Sequence, residues 1–145
     1  DGGDDPNEVN GDGWNALHMA ACEGCRLPLF HRILGMIHNV NAGDNDGCTA
    51  LMIAARSNHL DMVVSLMNHP GIDVNVQSRR DNFTALHMAV SSNSSATLAQ
   101  LVSDDRVDTS LKHAYFGTPL KYAIDMEPRR HECEKILREH GAPEE

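Results

Sequence analysis

GWNALHMAACEG (residues 13–24), GCTALMIAARSN (47–58), NFTALHMAVSSN (82–93) and FGTPLKYAIDME (116–127) are four versions of one line of sequence. Their anchors, Ala16-Leu17, Ala50-Leu51, Ala85-Leu86 and Pro119-Leu120, are spaced by 34, 35 and 34 residues. In the second version Leu51, Ile53, Ala54 and Ala55 mark a first short helix, and Leu60, Val63, Leu66 and Met67 recur at helical spacing as a second. A helix pair this short cannot bury its apolar stripe alone, so neighbouring pairs must stack and share one continuous core. Small side chains at Ala20, Ala21, Ala54, Ala55, Ala89 and Ala123 let the first helices of each pair approach closely.

Between the helix pairs lie NAGDNDGC (41–48) and DVNVQSRRDNF (73–83), rich in the Asn, Asp and Gly that tolerate left-handed backbone. The period of 34 to 35 residues and the T-x-L-H-x-A pattern resemble the ankyrin repeat, whose period is about 33. That resemblance implies an all-α ankyrin-repeat solenoid of four helix-turn-helix repeats with projecting β-hairpin fingers. The expected division is an acidic flexible tail over 1–9, then repeats at about 10–43, 44–78, 79–112 and 113–143 within a domain over 10–145. Pro28 and Pro128 fall where second helices should be in their first turn, a position in which a missing N–H is harmless. The two ends differ: RRHECEKILREHGAPEE closes the chain with charges around Ile136 and Leu137 and with Gly141 as a helix stop, which suits a capping repeat in water. LPLFHRILGMI (27–37) has no such polar face, so upstream repeats or a partner are expected to cover that end.

The bulk properties narrow the function. A chain of 145 residues is one domain in size, and a formal net charge of -9 disfavours nucleic acid and anionic lipid and favours a protein partner with a basic surface. No apolar run approaches the roughly 18 residues that span a bilayer, so no membrane insertion is expected. Cys22, Cys25, Cys48 and Cys133 follow no secreted-scaffold spacing, which points to a cytoplasmic or nuclear protein. Cys22-Glu23-Gly24-Cys25 is a C-x-x-C, but no second such pair and no H-x-x-x-H completes four zinc ligands, so neither metal nor cofactor is expected. Residues two apart on a helix point away from each other, which removes His131 and Cys133 as a ligand pair. Ser91, Ser92, Ser94 and Ser95 read as a polar turn between helices, with no G-x-S-x-G elbow or phosphate-cradling loop anywhere in the chain; no enzyme activity is expected.

The ankyrin resemblance also implies roles for single residues. His18 and His87 occupy the histidine slot of the repeat and are expected to be structural, bracing fingers against helices. Met52 and Lys121 replace that histidine in the second and fourth repeats, and Asn15 replaces the threonine of the first, which implies less firmly held fingers there. The variable slots of the fingers hold Asp12, Trp14, Asn45, Asp46, Arg80, Asp81, Phe83 and Tyr115. Those at the ends of the first helices include Glu23, Arg56 and Asp125. These are the candidate partner-binding residues, with Trp14, Phe83 and Tyr115 as candidate anchors because large aromatics dominate binding energy at protein interfaces.

DVNVQSRRDNFTALHMAV (73–90) resembles the fifth-repeat region of the inhibitors of Rel/NF-κB transcription factors, AYFGTPLKYAIDMEPRRHECEKILREHGA (114–142) resembles their closing repeat, and ACEGC (21–25) their third. This resemblance implies a module that masks a transcription factor or signalling protein through its concave and finger face. The NALHMAA, SNH and TALHMAV segments are also similar to ankyrin arrays of ubiquitin-ligase scaffolds. They imply, as the alternative, a targeting or substrate-recruiting domain of a larger enzyme.

Overall fold

The computed structural model describes residues 5–145, and among these it contains eight helices and no strand. Helices α1 (Ala16–Glu23), α3 (Ala50–Arg56), α5 (Ala85–Ser91) and α7 (Pro119–Asp125) pack one on the next as an inner row. Helices α2 (Leu27–Met36), α4 (Leu60–Met67), α6 (Ser95–Val102) and α8 (His131–Glu139) form an outer row, each against its own inner helix and its outer neighbours. Every inner helix starts in the same way. The N-cap side chain, Asn15, Thr49, Thr84 or Thr118, accepts a hydrogen bond from the amide three residues on, satisfying a donor that a helix start would otherwise leave free.

From inner to outer helix the chain reverses through one left-handed residue in three repeats: Gly24 (φ 81°), Asn58 (57°) and Asn93 (55°). Glycine and asparagine are the residues that adopt this backbone at least cost. The fourth repeat turns differently. Pro28 is inside the first turn of α2, but Pro128 lies ahead of α8, which begins only at His131, so its expected place in a helix start is corrected. The Arg130 amide instead reaches back to the Ala123 carbonyl at 3.0 Å, and the extra residues of the turn push the helix start downstream.

The core runs unbroken through the stack. Leu17, Leu51, Leu86 and Leu120 repeat along the inner row, Phe30, Leu66, Leu98, Leu101 and Leu137 along the outer, all essentially without solvent contact. Ala21, Ala54, Ala55, Ala89 and Ala123 are completely buried between inner helices, where added methylenes would force the rows apart at a cost of about 1–3 kcal/mol.

Residues 1–4 lie outside the described residues. The rest of the expected tail, residues 5–9, is bound into the first repeat: the Ala16 amide donates to Pro6 O at 3.0 Å, and Asn7 receives the His38 amide at 2.8 Å while donating to Met36 O at 3.0 Å. Asn41 and Asn75 do the same one repeat later each time. Asn41 bridges Asp73 N and Gly71 O, and Asn75 bridges Asp108 N and Arg106 O, all four bonds at 2.8 Å. These asparagines tie the backbone ahead of one finger to the repeat that follows, and Asn7 holds residues 5–9 against the first repeat in the same way.

Candidate protein-binding face

Among the described residues the fingers are tight hairpin turns with no strand. Each is a turn closed by two backbone bonds: Asn10 N to Trp14 O (3.0 Å) with Gly13 N to Asn10 O (3.0 Å), Asp44 N to Cys48 O (2.9 Å) with Gly47 N to Asp44 O (2.9 Å), Ser78 N to Phe83 O (2.9 Å) with Asn82 N to Ser78 O (3.2 Å), and His113 N to Gly117 O (2.9 Å) with Gly117 N to His113 O (3.3 Å), the last pair forming an isolated bridge. Segments this short have no room for a ladder along themselves, and they pair with one another instead. Asn45 N donates to Asp12 O at 3.0 Å, Arg79 N to Asp46 O at 2.8 Å and Ala114 N to Asp81 O at 2.8 Å, strapping four fingers into a row. Glycine is required where neighbouring fingers meet: a Cβ on Gly13 (φ 81°) would stand 2.7 Å from Asn45 N, and one on Gly47 (φ 82°) 2.9 Å from Arg79 N, each inside the next finger.

His18 and His87 reach across repeats. His18 Nε2 donates to the carbonyls of Ala42 (3.0 Å) and Cys48 (3.2 Å), while Nδ1 accepts from the Asn15 amide. His87 Nε2 donates to Gly117 O at 2.9 Å, and its Nδ1 lies 2.8 Å from Thr84 Oγ1. Each imidazole therefore braces the finger of the following repeat, and Nδ1 serves as an acceptor within its own helix cap. Burial pushes both pKa values down, that of His87 to about 4, because the interior disfavours the charged ring. Asn15 caps α1 as the threonines cap theirs. Met52, buried in the second histidine slot, leaves the third finger without such a brace. Lys121 pairs with Asp125 at 2.8 Å.

The candidate aromatics occupy three different settings. Trp14 is half-buried, its Nε1 donating to Asp44 Oδ2 at 2.9 Å and its ring stacked on His18 with centroids 6.3 Å apart. Phe83 is half-buried as well, its ring centroid 4.2 Å from that of His113. Tyr115 is 80% exposed. Beside it stands a residue that sequence reasoning passed over, Phe116, 43% exposed and stacked on Tyr122 with centroids 4.8 Å apart and planes 19° apart. His113, also passed over, organises this end. Its Nδ1 accepts the amides of Tyr115 (3.0 Å) and Phe116 (3.1 Å), and burial lowers its pKa. A Tyr-Phe pair in a finger was the available signal; its mate Tyr122, on the far side of the repeat motif, was not.

The charged candidates lie along the same row. Asp12, Asn45, Asp46 and Arg80 are exposed on the fingers and Asp81 is half-buried, while Glu23, Arg56 and Asp125 are exposed at the ends of α1, α3 and α7. Asp46, Cys48, Arg80, Asp81 and Phe83, with Ser78 and Met88, line a cavity of about 200 Å³ between the second and third fingers. Phe116, Tyr122, Asp125 and Met126 line a second of about 240 Å³ between the fourth finger and α7. The structure thus gathers the finger candidates Asp46, Arg80, Asp81 and Phe83 around the first cavity and brings Asp125 alone to the second, leaving Asp12, Trp14, Glu23, Asn45, Arg56 and Tyr115 outside both. All four cysteines are free; burial raises the pKa of Cys25 and takes Cys48 and Cys133 to about 11, so these three are poor nucleophiles. No group of three or more His, Cys, Asp or Glu side chains suited to a metal ion occurs among the described residues, and no helix there is long and apolar enough to cross a membrane.

A stack of capped helix pairs with strapped fingers is the architecture of the ankyrin-repeat proteins, and the family "Ankyrin repeats (3 copies)" matches residues 2–78, just over half of the chain. The chain belongs to this family, whose repeats act as protein-interaction modules. Among known proteins it is 28% identical over 147 residues to the RelA-associated inhibitor of Mus musculus, an alignment covering 97% of this chain and 18% of that protein. It is 40% identical over 60 residues to the nuclear factor NF-kappa-B p110 subunit of Drosophila melanogaster, covering 41% of this chain and 6% of that one. It is also 38% identical over 83 residues to BTB/POZ domain-containing protein 1 of Schizosaccharomyces pombe, covering 57% of this chain and 6% of that one. The resemblance to inhibitors of Rel/NF-κB factors therefore extends to named relatives, of whose length the chain spans less than a fifth.

Proposed function

We propose that this chain binds a basic protein surface along its finger row and that it masks a transcription factor of the Rel type or a related signalling protein. The observation that carries this reading is the row itself. Asp12, Asp46 and Asp81 stand at corresponding finger positions, their carbonyls strap the next finger, and the row ends on Tyr115 and Phe116. A line of acidic tips draws a cationic partner and sets its register, and a terminal aromatic cluster supplies the desolvated anchor that charge alone does not. The alignment with the RelA-associated inhibitor over nearly the whole chain supports a Rel-type partner.

The test is affinity capture of a Rel-type DNA-binding domain by the chain and by its Tyr115→Ala/Phe116→Ala variant. The expected loss is about tenfold or more in Kd with an unchanged melting temperature. Asp46→Lys should weaken capture at low salt and much less at high salt. Capture that survives both changes would sink this reading. A second reading, a recruiting arm within a larger protein, is favoured by the 6% and 18% of relatives' lengths that the chain spans. It uses the same face, and a bound partner that is modified rather than masked would distinguish it.

A further inference from the structure

The outer row fixes which side of each repeat meets its predecessor. Thr97 Oγ1 donates to Asn58 Oδ1 at 2.9 Å and Cys133 Sγ lies 3.7 Å from Asn93 Oδ1, each a contact to the repeat before. In that register Met62, Thr97 and Cys133 occupy one position, 1%, 0% and 0% exposed, and Leu66, Leu101 and Leu137 the position one turn later, fully buried. The first repeat carries Leu29 and Ile33 there. Leu29 is 48% exposed and Ile33 only half-buried, and Met36 continues the same stripe at 48%. The inner row agrees: Ile53, Met88 and Tyr122 are buried, whereas Met19 in the same slot is 39% exposed.

The other end of the molecule shows what a water-facing end of this stack looks like. Positions that meet the following repeat hold Phe30 and Leu34, then Val63 and Met67, then Leu98 and Val102, all apolar. In the last repeat the same two positions hold Glu134 and Arg138, ion-paired to each other at 3.1 Å, with Arg129 on Glu134 at 2.8 Å. One end has exchanged its joint residues for charge, and the other has kept them.

We propose that Met19, Leu29, Ile33 and Met36 form an unfilled inter-repeat joint that seats one further helix pair of the same kind, placed ahead of Asn7 in the same polypeptide. Its outer helix would present two apolar side chains four residues apart, as Phe30 and Leu34 do to the second repeat. Continuity with the existing joints argues for this occupant over a second copy. Every joint in the stack pairs a following-facing surface with a preceding-facing one, and Asn7, Asn41 and Asn75 each bind the backbone of the next repeat, so the joints run head to tail. Two copies meeting through this face would place like against like. The joint is separate from the finger row and stands whether or not the partner assignment does.

The test extends the full chain by inserting a second copy of residues 42–75 between Asn7 and Glu8, which keeps the spacing of the asparagines. The extended chain should melt higher than the parent, by about 5 °C or more. Met19→Ala with Leu29→Ala should lower the melting temperature of the extended chain by about 5 °C, and that of the parent by about 2 °C or less, since there these side chains face water. An extended chain that melts no higher, or a pair of substitutions that shifts both chains equally, overturns the proposal. Sedimentation of the parent should show a monomer; a dimer that dissociates on Leu29→Lys also overturns it, by showing that the face pairs with itself.

Discussion

The second and third fingers do the same job with different chemistry. The second, closed between Asp44 and Cys48, is held from the preceding repeat by His18, whose one ring N–H is shared between two carbonyls. The third, between Ser78 and Phe83, has a buried thioether behind it, because Met52 fills the slot that His18 and His87 fill elsewhere. Its own residues take over. Ser78 Oγ accepts the Phe83 amide at 2.9 Å, and Gln77 Nε2 donates to Asn82 O at 3.2 Å and to Lys112 O at 3.1 Å, fastening the finger forward instead of back. Left-handed backbone at Asn82 (φ 60°) serves where the second finger uses Gly47. The stack therefore alternates polar, titratable joints with an apolar one, and a missing histidine does not by itself mean a loose finger.

That comparison can be broken at several points. Met52→Ala removes packing from the apolar joint and should cost about 2–5 kcal/mol in urea unfolding, with the same cost at pH 7 and pH 5. His87→Ala deletes the brace on Gly117 O and the Nδ1 contact to Thr84, costing about 3 kcal/mol at pH 7. Unlike the methionine change, it should cost much less near pH 4.

The pH dependence follows from the imidazoles. His87 titrates near 4 in the folded chain and near 6.5 when unfolded, so between these values the unfolded state binds more protons. Its contribution is complete above about pH 6.5 and is lost as pH falls towards 4, by about 3 kcal/mol in all. His18 and His113 act in the same direction. Stability measured from pH 7 to 4 should fall, and His87→Ala should flatten part of the slope; an unaltered slope would remove the titratable brace from the comparison. Ser78→Ala should have the smallest effect, about 1 kcal/mol, confined to the third finger and visible as faster amide exchange at Phe83.

The candidate face was legible in part. Finger positions could be counted off the repeat, and Asp46, Arg80, Asp81 and Phe83 do come together around one cavity. Aromatic character, in contrast, says little about exposure. Trp14 and Phe83 each find a neighbour, Asp44 and His113, about 30 residues away, whereas Tyr115 does not, and nothing local to these residues distinguishes them. Phe116 went unnoticed because its support is Tyr122, which looks like an ordinary core residue of an inner helix.

The amino-acid sequence alone determined the repeat, its period and the buried leucines and alanines, because each depends on residues within one helix pair. It also revealed the contrast between a charged end and an apolar one. Tertiary structure decided how repeats are joined: which finger each histidine braces, how the backbone of residues 5–9 is taken up by Asn7, and which aromatics remain in water. Those outcomes depend on groups about a full repeat apart, and their distance is set by the stacking of helix pairs rather than by any spacing along the chain.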